Sequence, residues 1–157
     1  IDRTTHKSFR NSHYTYRLNL IPDDITISHQ NFFKRQHRYY KDDDNNIFVH
    51  GGFQRDYPIG ETLAYTMMWD RKLWDQALSS RNSQNPLKFH DEVNRVFIGH
   101  TSTTGWGTTK PMKASNVWNL DTGAGWDGKL TIMNVDTEEY WQSDLMDKLY
   151  PNYKDNR

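Results

Sequence analysis

The chain has 157 residues, in which 20 Lys plus Arg balance 20 Asp plus Glu, and it contains no cysteine. That length holds one domain with a real core, or part of one, rather than two; the missing thiols exclude disulfides, thiolate metal sites and cysteine nucleophiles, so any metal is left to His, Asp, Glu or Asn. Balanced charge gives no net field for nucleic acid or an anionic membrane, apolar runs are too short to span a bilayer, and the N-terminus lacks the plan of a signal peptide, so a cytoplasmic protein is expected.

The chain opens on Ile1 without an initiating Met, which reads as a start inside a longer product. Residues 1–20 are polar and aromatic, with scattered His6 and His13 and no clean period, and read as loop and irregular helix. Ile21-Pro22-Asp23-Asp24 has the character of a helix entry, since Pro restricts the backbone and acidic side chains suit the first turn. Behind it Ile25, Phe32, Phe33, Tyr39 and Tyr40 fall mostly on one helical face, which predicts a helix over 25–40 that covers a sheet. His29 and His37 lie within it and are assigned nothing. Lys41-Asp42-Asp43-Asp44-Asn45 reads as a solvated polar turn, its spacing not being that of a calcium loop.

Asn46-Ile47-Phe48-Val49-His50-Gly51-Gly52-Phe53 is a buried strand that runs into a histidine and two glycines. His50 therefore stands at a carboxyl strand end, where open α/β sheets place ligands, and the glycines let backbone or a ligand approach the imidazole. Taken alone, the pattern fits a core strand ended by a glycine turn equally well. Arg95-Val96-Phe97-Ile98-Gly99-His100-Thr101 repeats the same grammar, however. Two such strands side by side bring His50 and His100 together, and paired imidazoles suit Zn, Fe, Mn or Ni better than a packed core.

Between these blocks, residues 61–80 have helical character broken near Met68-Trp69, with Asp70 placed to cap a second helix carrying Leu73, Trp74, Ala77 and Leu78 on its apolar side. Arg71 falls in that helix's first turn, either as an exposed helix arginine or near amides that attract anions. Residues 79–88 read as a surface linker, and 101–111 as a flexible Thr/Gly/Trp loop in which Trp106 is a candidate pocket wall. Residues 116–123 and 129–135 read as two strands of an antiparallel hairpin turned by Gly125-Trp126-Asp127-Gly128, followed by a short edge strand in 138–143 and an amphipathic turn over 145–149 that stops before Pro151.

Four blocks in order, Phe48-Val49-His50-Gly51-Gly52-Phe53, Trp69-Asp70-Arg71, Ile98-Gly99-His100-Thr101, and Leu120-Asp121-Thr122-Gly123 with Gly128-Lys129-Leu130-Thr131, resemble the C-terminal half of a calcineurin-like metallophosphoesterase, nearest to bacterial and phage serine/threonine protein phosphatases. The resemblance runs from about residue 8 to about residue 143. It implies an α/β chain forming part of an α/β/β/α sandwich, all of 1–157 belonging to the C-terminal part of one phosphoesterase domain. It also implies that His50 and His100 ligate one metal of a centre of two divalent ions, Mn, Fe, Zn or Ni, and that Arg71 grips the phosphate of a phosphorylated substrate. The implied reaction is attack of a metal-activated water on a phosphate ester.

The family's N-terminal blocks, Gly-Asp-x-His-Gly, Gly-Asp-x-x-Asp-Arg-Gly and Gly-Asn-His-Asp/Glu, are absent from these residues, and with them the bridging aspartates, the asparagine ligand and the histidine general acid. Two imidazoles fall short of the roughly four ligands of a closed first-row site, so the chain alone is expected to be inactive and to need its missing half as a partner, or to self-associate. Three readings follow: a serine/threonine phosphatase-like hydrolase, a hydrolase of dinucleoside polyphosphates or another small phosphoester, and a non-catalytic interaction module on the same scaffold.

Overall fold

The computed structural model describes residues 10–11, 14–15, 24–81 and 85–151, which fall in two compact units, Ile1–His37 and Arg38–Arg157. The first unit holds the two-residue strands β1 (Arg10–Asn11) and β2 (Tyr14–Thr15), paired antiparallel, and the helix α1 (Ile27–Lys34). Thr26 caps α1, its side-chain oxygen accepting from the His29 backbone N–H. His6, His13 and the helix entry at Ile21-Pro22-Asp23 lie outside the described residues. The long covering helix expected over 25–40 is corrected: α1 stops at Lys34 and buries none of its residues, Phe32 and Phe33 remaining 62% and 65% exposed. Tyr39 and Tyr40 leave the helical pattern because, as residues that fit a pleated surface, they find strand partners instead.

Those partners open the second unit, where β3 (Tyr39–Lys41), β4 (Ile47–Val49), β5 (Val96–Ile98), β6 (Met112–Ala114) and β7 (Val117–Asn119) form one mixed sheet in the order β3-β4-β5-β7-β6. β4, β5 and β7 run parallel, with Ile47 opposite Val96 and Val96 opposite Val117. Side-chain alternation sends Ile47, Val49, Val96, Ile98 and Val117 into the core and leaves Phe48 and Phe97 stacked on the other face, ring centroids 5.0 Å apart.

The core is closed by the helix pair α2 (Ala64–Trp69) and α3 (Lys72–Ser80), α3 contributing buried Leu73, Trp74 and Ala77. The break falls at Asp70-Arg71. As expected of a cap, Asp70 Oδ2 accepts from the Leu73 N–H at 2.9 Å. The polar turn before β4 is likewise borne out, Asp42 Oδ1 accepting from the backbone N–H groups of Asp44 and Asn46. Trp106 does not line a pocket wall at the histidines; it stands edge-on to Trp74, centroids 6.1 Å apart.

The expected hairpin between 116–123 and 129–135 is overturned. β7 makes its tight turn with β6 through Ser115-Asn116, Ser115 taking a left-handed φ of 54°, and is flanked on its other side by β5. β8 (Thr131–Met133) pairs instead with β9 (Tyr140–Gln142) in a separate two-stranded sheet. The Asp127-Gly128 signal is spent on a loop folded on itself, with the Gly128 N–H donating to Gly123 O and Gly123 bridging Lys129 in the parallel sense. β8 thus stands outside the sheet that β4, β5 and β7 share; the edge strand after 138 and the final helix α4 (Met146–Leu149) stand where expected. The unit is a mixed α/β fold consistent with part of an α/β metallophosphatase sandwich.

Glu138 ties the β8–β9 connection to the sheet, its carboxylate accepting from Lys113 Nζ at 2.7 and 2.8 Å. The Lys113 hydrogen bond outweighs partial burial and holds this carboxyl below its ordinary value. A depressed folded value means the contribution is present above the unfolded carboxyl range and disappears as pH falls through the folded value. Because the pair is partly exposed, it is worth about 0.2–1 kcal/mol. Urea midpoints taken from pH 7 down through the acid range are expected to fall less for Glu138→Gln than for the parent.

Candidate metal and phosphate site

β4 and β5 are adjacent and parallel, so the residues following them emerge at the same end of the sheet, and the Gly99 N–H donates to His50 O at 2.8 Å. The imidazoles of His50 and His100 consequently face each other with centroids 5.0 Å apart, their planes inclined at 59°. His50 is exposed and His100 half-buried. Neither ring has a hydrogen bond among the described residues, whereas a metal-ligating imidazole ordinarily has its second nitrogen oriented by a partner; His100 Nε2 is buried with no partner. The His100 ring is instead wedged by Trp69, edge-on at 5.1 Å.

The backbone at His100 is strained. Its φ is 62°, and the Thr101 N–H donates to Gly99 O at 2.6 Å, closing a three-residue turn of the rare left-handed type. Such conformations cost about 1–3 kcal/mol and gather at functional sites. Burial is the main cause holding His100 below the ordinary histidine value, with the Arg71 charge and His50 acting in the same direction and Asp121 opposing them.

The double glycine after His50 places the second half of the site. The Gly51 N–H donates to Met67 O at 2.7 Å, and a Cβ at Gly51 would stand 2.9 Å from Asp70 N and 3.0 Å from Met68 C and Trp69 N. At Gly52 a Cβ would meet the capping Asp70 Oδ2 at 2.7 Å. Only glycine admits the α2–α3 break so close to the strand end, and that break carries Trp69 and Arg71 to the imidazoles. The Arg71 guanidinium is exposed and, among the described residues, makes no hydrogen bond or ion pair. A cleft of about 270 Å³ opens beside the pair, lined by His50, His100, Asp121, Thr122 and Lys129 among others.

The expected pairing of His50 and His100 is seen, with Arg71 near enough for its charge to act on His100; the reading missed that Trp69 packs against His100 and that Asp121 lines the cleft. Both stood in the quoted blocks; the signal for Trp69 was its position two residues before Arg71 at a helix end. The orphaned, buried His100 Nε2 and its neighbouring imidazole fit two positions of a metal's coordination shell. They do not fill one: among the described residues no group of three or more His, Asp or Glu side chains converges.

No family model matches the chain. Over 47 residues it is 45% identical to symmetrical bis(5'-nucleosyl)-tetraphosphatases of two Neisseria gonorrhoeae strains, NCCP11945 and ATCC 700825 / FA 1090, and of Neisseria meningitidis serogroup A / serotype 4A. The matched segment is 30% of this chain and 15% of each relative, so the chain spans a small part of the relatives it matches. No helix among the described residues is long and apolar enough to cross a membrane. The similarity supports the calcineurin-like metallophosphoesterase superfamily.

Proposed function

We propose that this chain is the C-terminal part of a metal-dependent phosphoester hydrolase, with His50 and His100 as ligands to one of two divalent cations and Arg71 as the group that holds the phosphate. The observation that carries this reading is the facing pair of imidazoles at one sheet end, which have no hydrogen bonds among the described residues, with the charge of Arg71, likewise without a counter-ion among them, acting on His100. When bound, divalent cations lower the pKa of water and neutralise charge on phosphoryl oxygens. The chain's own part is positional. Arg71 offers a planar fork of donors to two phosphoryl oxygens, and the buried edge of His100 keeps bulk water from one side of the site.

The remaining ligands and the bridge are expected from a companion segment, on the same chain or supplied separately. Exposed Leu130, Ile132 and Trp141 on the β8–β9 ribbon support such a partner, since a two-stranded sheet with an open apolar face is marginal alone. The proposed cations are Mn, Fe, Zn or Ni. As to substrate, the resemblance favours phosphoserine and phosphothreonine in proteins, while the matched tetraphosphatases favour dinucleoside polyphosphates.

With the missing half supplied and Mn²⁺ present, hydrolysis of a generic aryl phosphate is expected, and a chelator should abolish it. The 157 residues alone should show almost none. Full activity from the chain alone, or none from the completed protein, overturns the reading. Parallel assays on a phosphoserine peptide and on diadenosine tetraphosphate separate the two substrates.

A further inference from the structure

Next to the His100 ring, α2 presents an aromatic surface that phosphate chemistry does not use. Tyr65 and Trp69 lie four residues apart on α2, a spacing that puts both on one helix face. Their ring centroids are 6.4 Å apart with planes inclined at only 33°, and they are 73% and 52% exposed. Neither serves the core, which α2 reaches through Met67 alone. Trp69 touches the His100 ring with its edge geometry while half of its surface stays open, and Arg71, unpaired among the described residues, follows two residues later. An open pair of tilted rings, one of them against the His100 imidazole and close in sequence to a cation whose charge acts on that imidazole, matches a molecule that is planar and apolar at one end and anionic at the other.

We propose that Tyr65 and Trp69 form a stacking platform for the base of a nucleotide whose phosphate is held at Arg71, which makes them specificity-determining residues of the site. The proposal rests on the phosphoester reading for the phosphate end only. Every nucleobase offers a π-face, so the platform is tolerant of base identity, and the charge of Arg71 complements the phosphate beyond it. A phosphorylated serine or threonine side chain has no planar group to stack, so the platform turns the site toward nucleotides.

The test is equilibrium binding to the 157-residue chain, followed by NMR of the indole N–H signals, with ADP, inorganic diphosphate and adenosine as probes. ADP is expected to bind about tenfold more tightly than diphosphate, the gain being that of stacking one base on aromatic side chains. Trp69→Ala and Tyr65→Ala should shrink that gain, and Arg71→Ala should weaken ADP and diphosphate alike. Tyr65 is exposed enough that its loss cannot unfold the chain, which guards the result should Trp69→Ala disturb His100. Equal affinity for ADP and diphosphate in the parent, or a gain that survives both aromatic substitutions, overturns the platform while leaving the phosphate reading intact. Adenosine bound through Trp69 with no binding of diphosphate supports the platform and removes the phosphate reading; binding of none of the three probes at millimolar concentration overturns the platform.

Discussion

Arg71→Ala in the completed protein is expected to lower turnover of an aryl phosphate by about 10²–10³-fold, the scale on which loss of one preorganised donor to a charge-bearing oxygen is felt. Bound metal should stay near the parent content, because Arg71 sits at the N-terminal edge of α3 and its guanidinium makes no hydrogen bond or ion pair with any described side chain, acting on His100 through its charge alone. His50→Ala and His100→Ala should also abolish turnover, but with a fall in metal content, since each removes an imidazole from the facing pair. Elemental analysis beside kcat and KM separates the two classes. Arg71→Lys should recover only part of the loss, a point charge lacking the two-pronged geometry. An Arg71→Ala variant as active as the parent would sink the assignment.

Gly51→Ala is expected to cost stability and function together. Its new methyl group has no flexible side chain to displace: the atoms it meets are the backbone of Met68, Trp69 and Asp70 at 2.9–3.0 Å. Relief requires the α2–α3 break to retreat from the strand end, weakening the Gly51 N–H donation to Met67 O. Overpacking of this kind costs about 1–3 kcal/mol. Displacement of Trp69 and Arg71 by something near an ångström should lower turnover by about 10²-fold, the sensitivity expected of a positioned group. Chemical denaturation and assay of the same preparation check both halves. By contrast Gly105→Ala, where a Cβ meets nothing within 4 Å, should leave both unchanged.

These two experiments bear on the part of the site that was easiest to read in one dimension. A strand ending in His-Gly-Gly and another ending in Gly-His carry their own instructions: apolar alternation buries the strand, and the terminal histidine is left at its carboxyl end. The Asp70 cap was legible for the same local reason, because a carboxylate just ahead of a helix satisfies a free N–H of its first turn wherever the helix packs. The helix over 25–40 was misread because Tyr39 and Tyr40 fit both a helical face and a pleated surface, and only the presence of β4 as a partner decides between them. The hairpin at 125–128 was misread because a good turn sequence says where a chain bends, not which strands it then joins.

The choice of Arg71 as a site residue rested on the family resemblance, whereas the sequence by itself determined some local elements of this protein: histidines at two strand ends, a capped helix start, and glycines where backbone approaches backbone. These depend on dihedral preferences and short-range periodicity, which are written within a few residues of each position. Tertiary structure alone decided that β7 lies beside β5 rather than against β8, that the α2–α3 break is pressed onto Gly51 and Gly52, and that Trp69 stands edge-on to His100 with Tyr65 beside it. Those facts arise from contacts between residues far apart in the chain, and such contacts are chosen by the packing of the whole core rather than by any one segment's pattern.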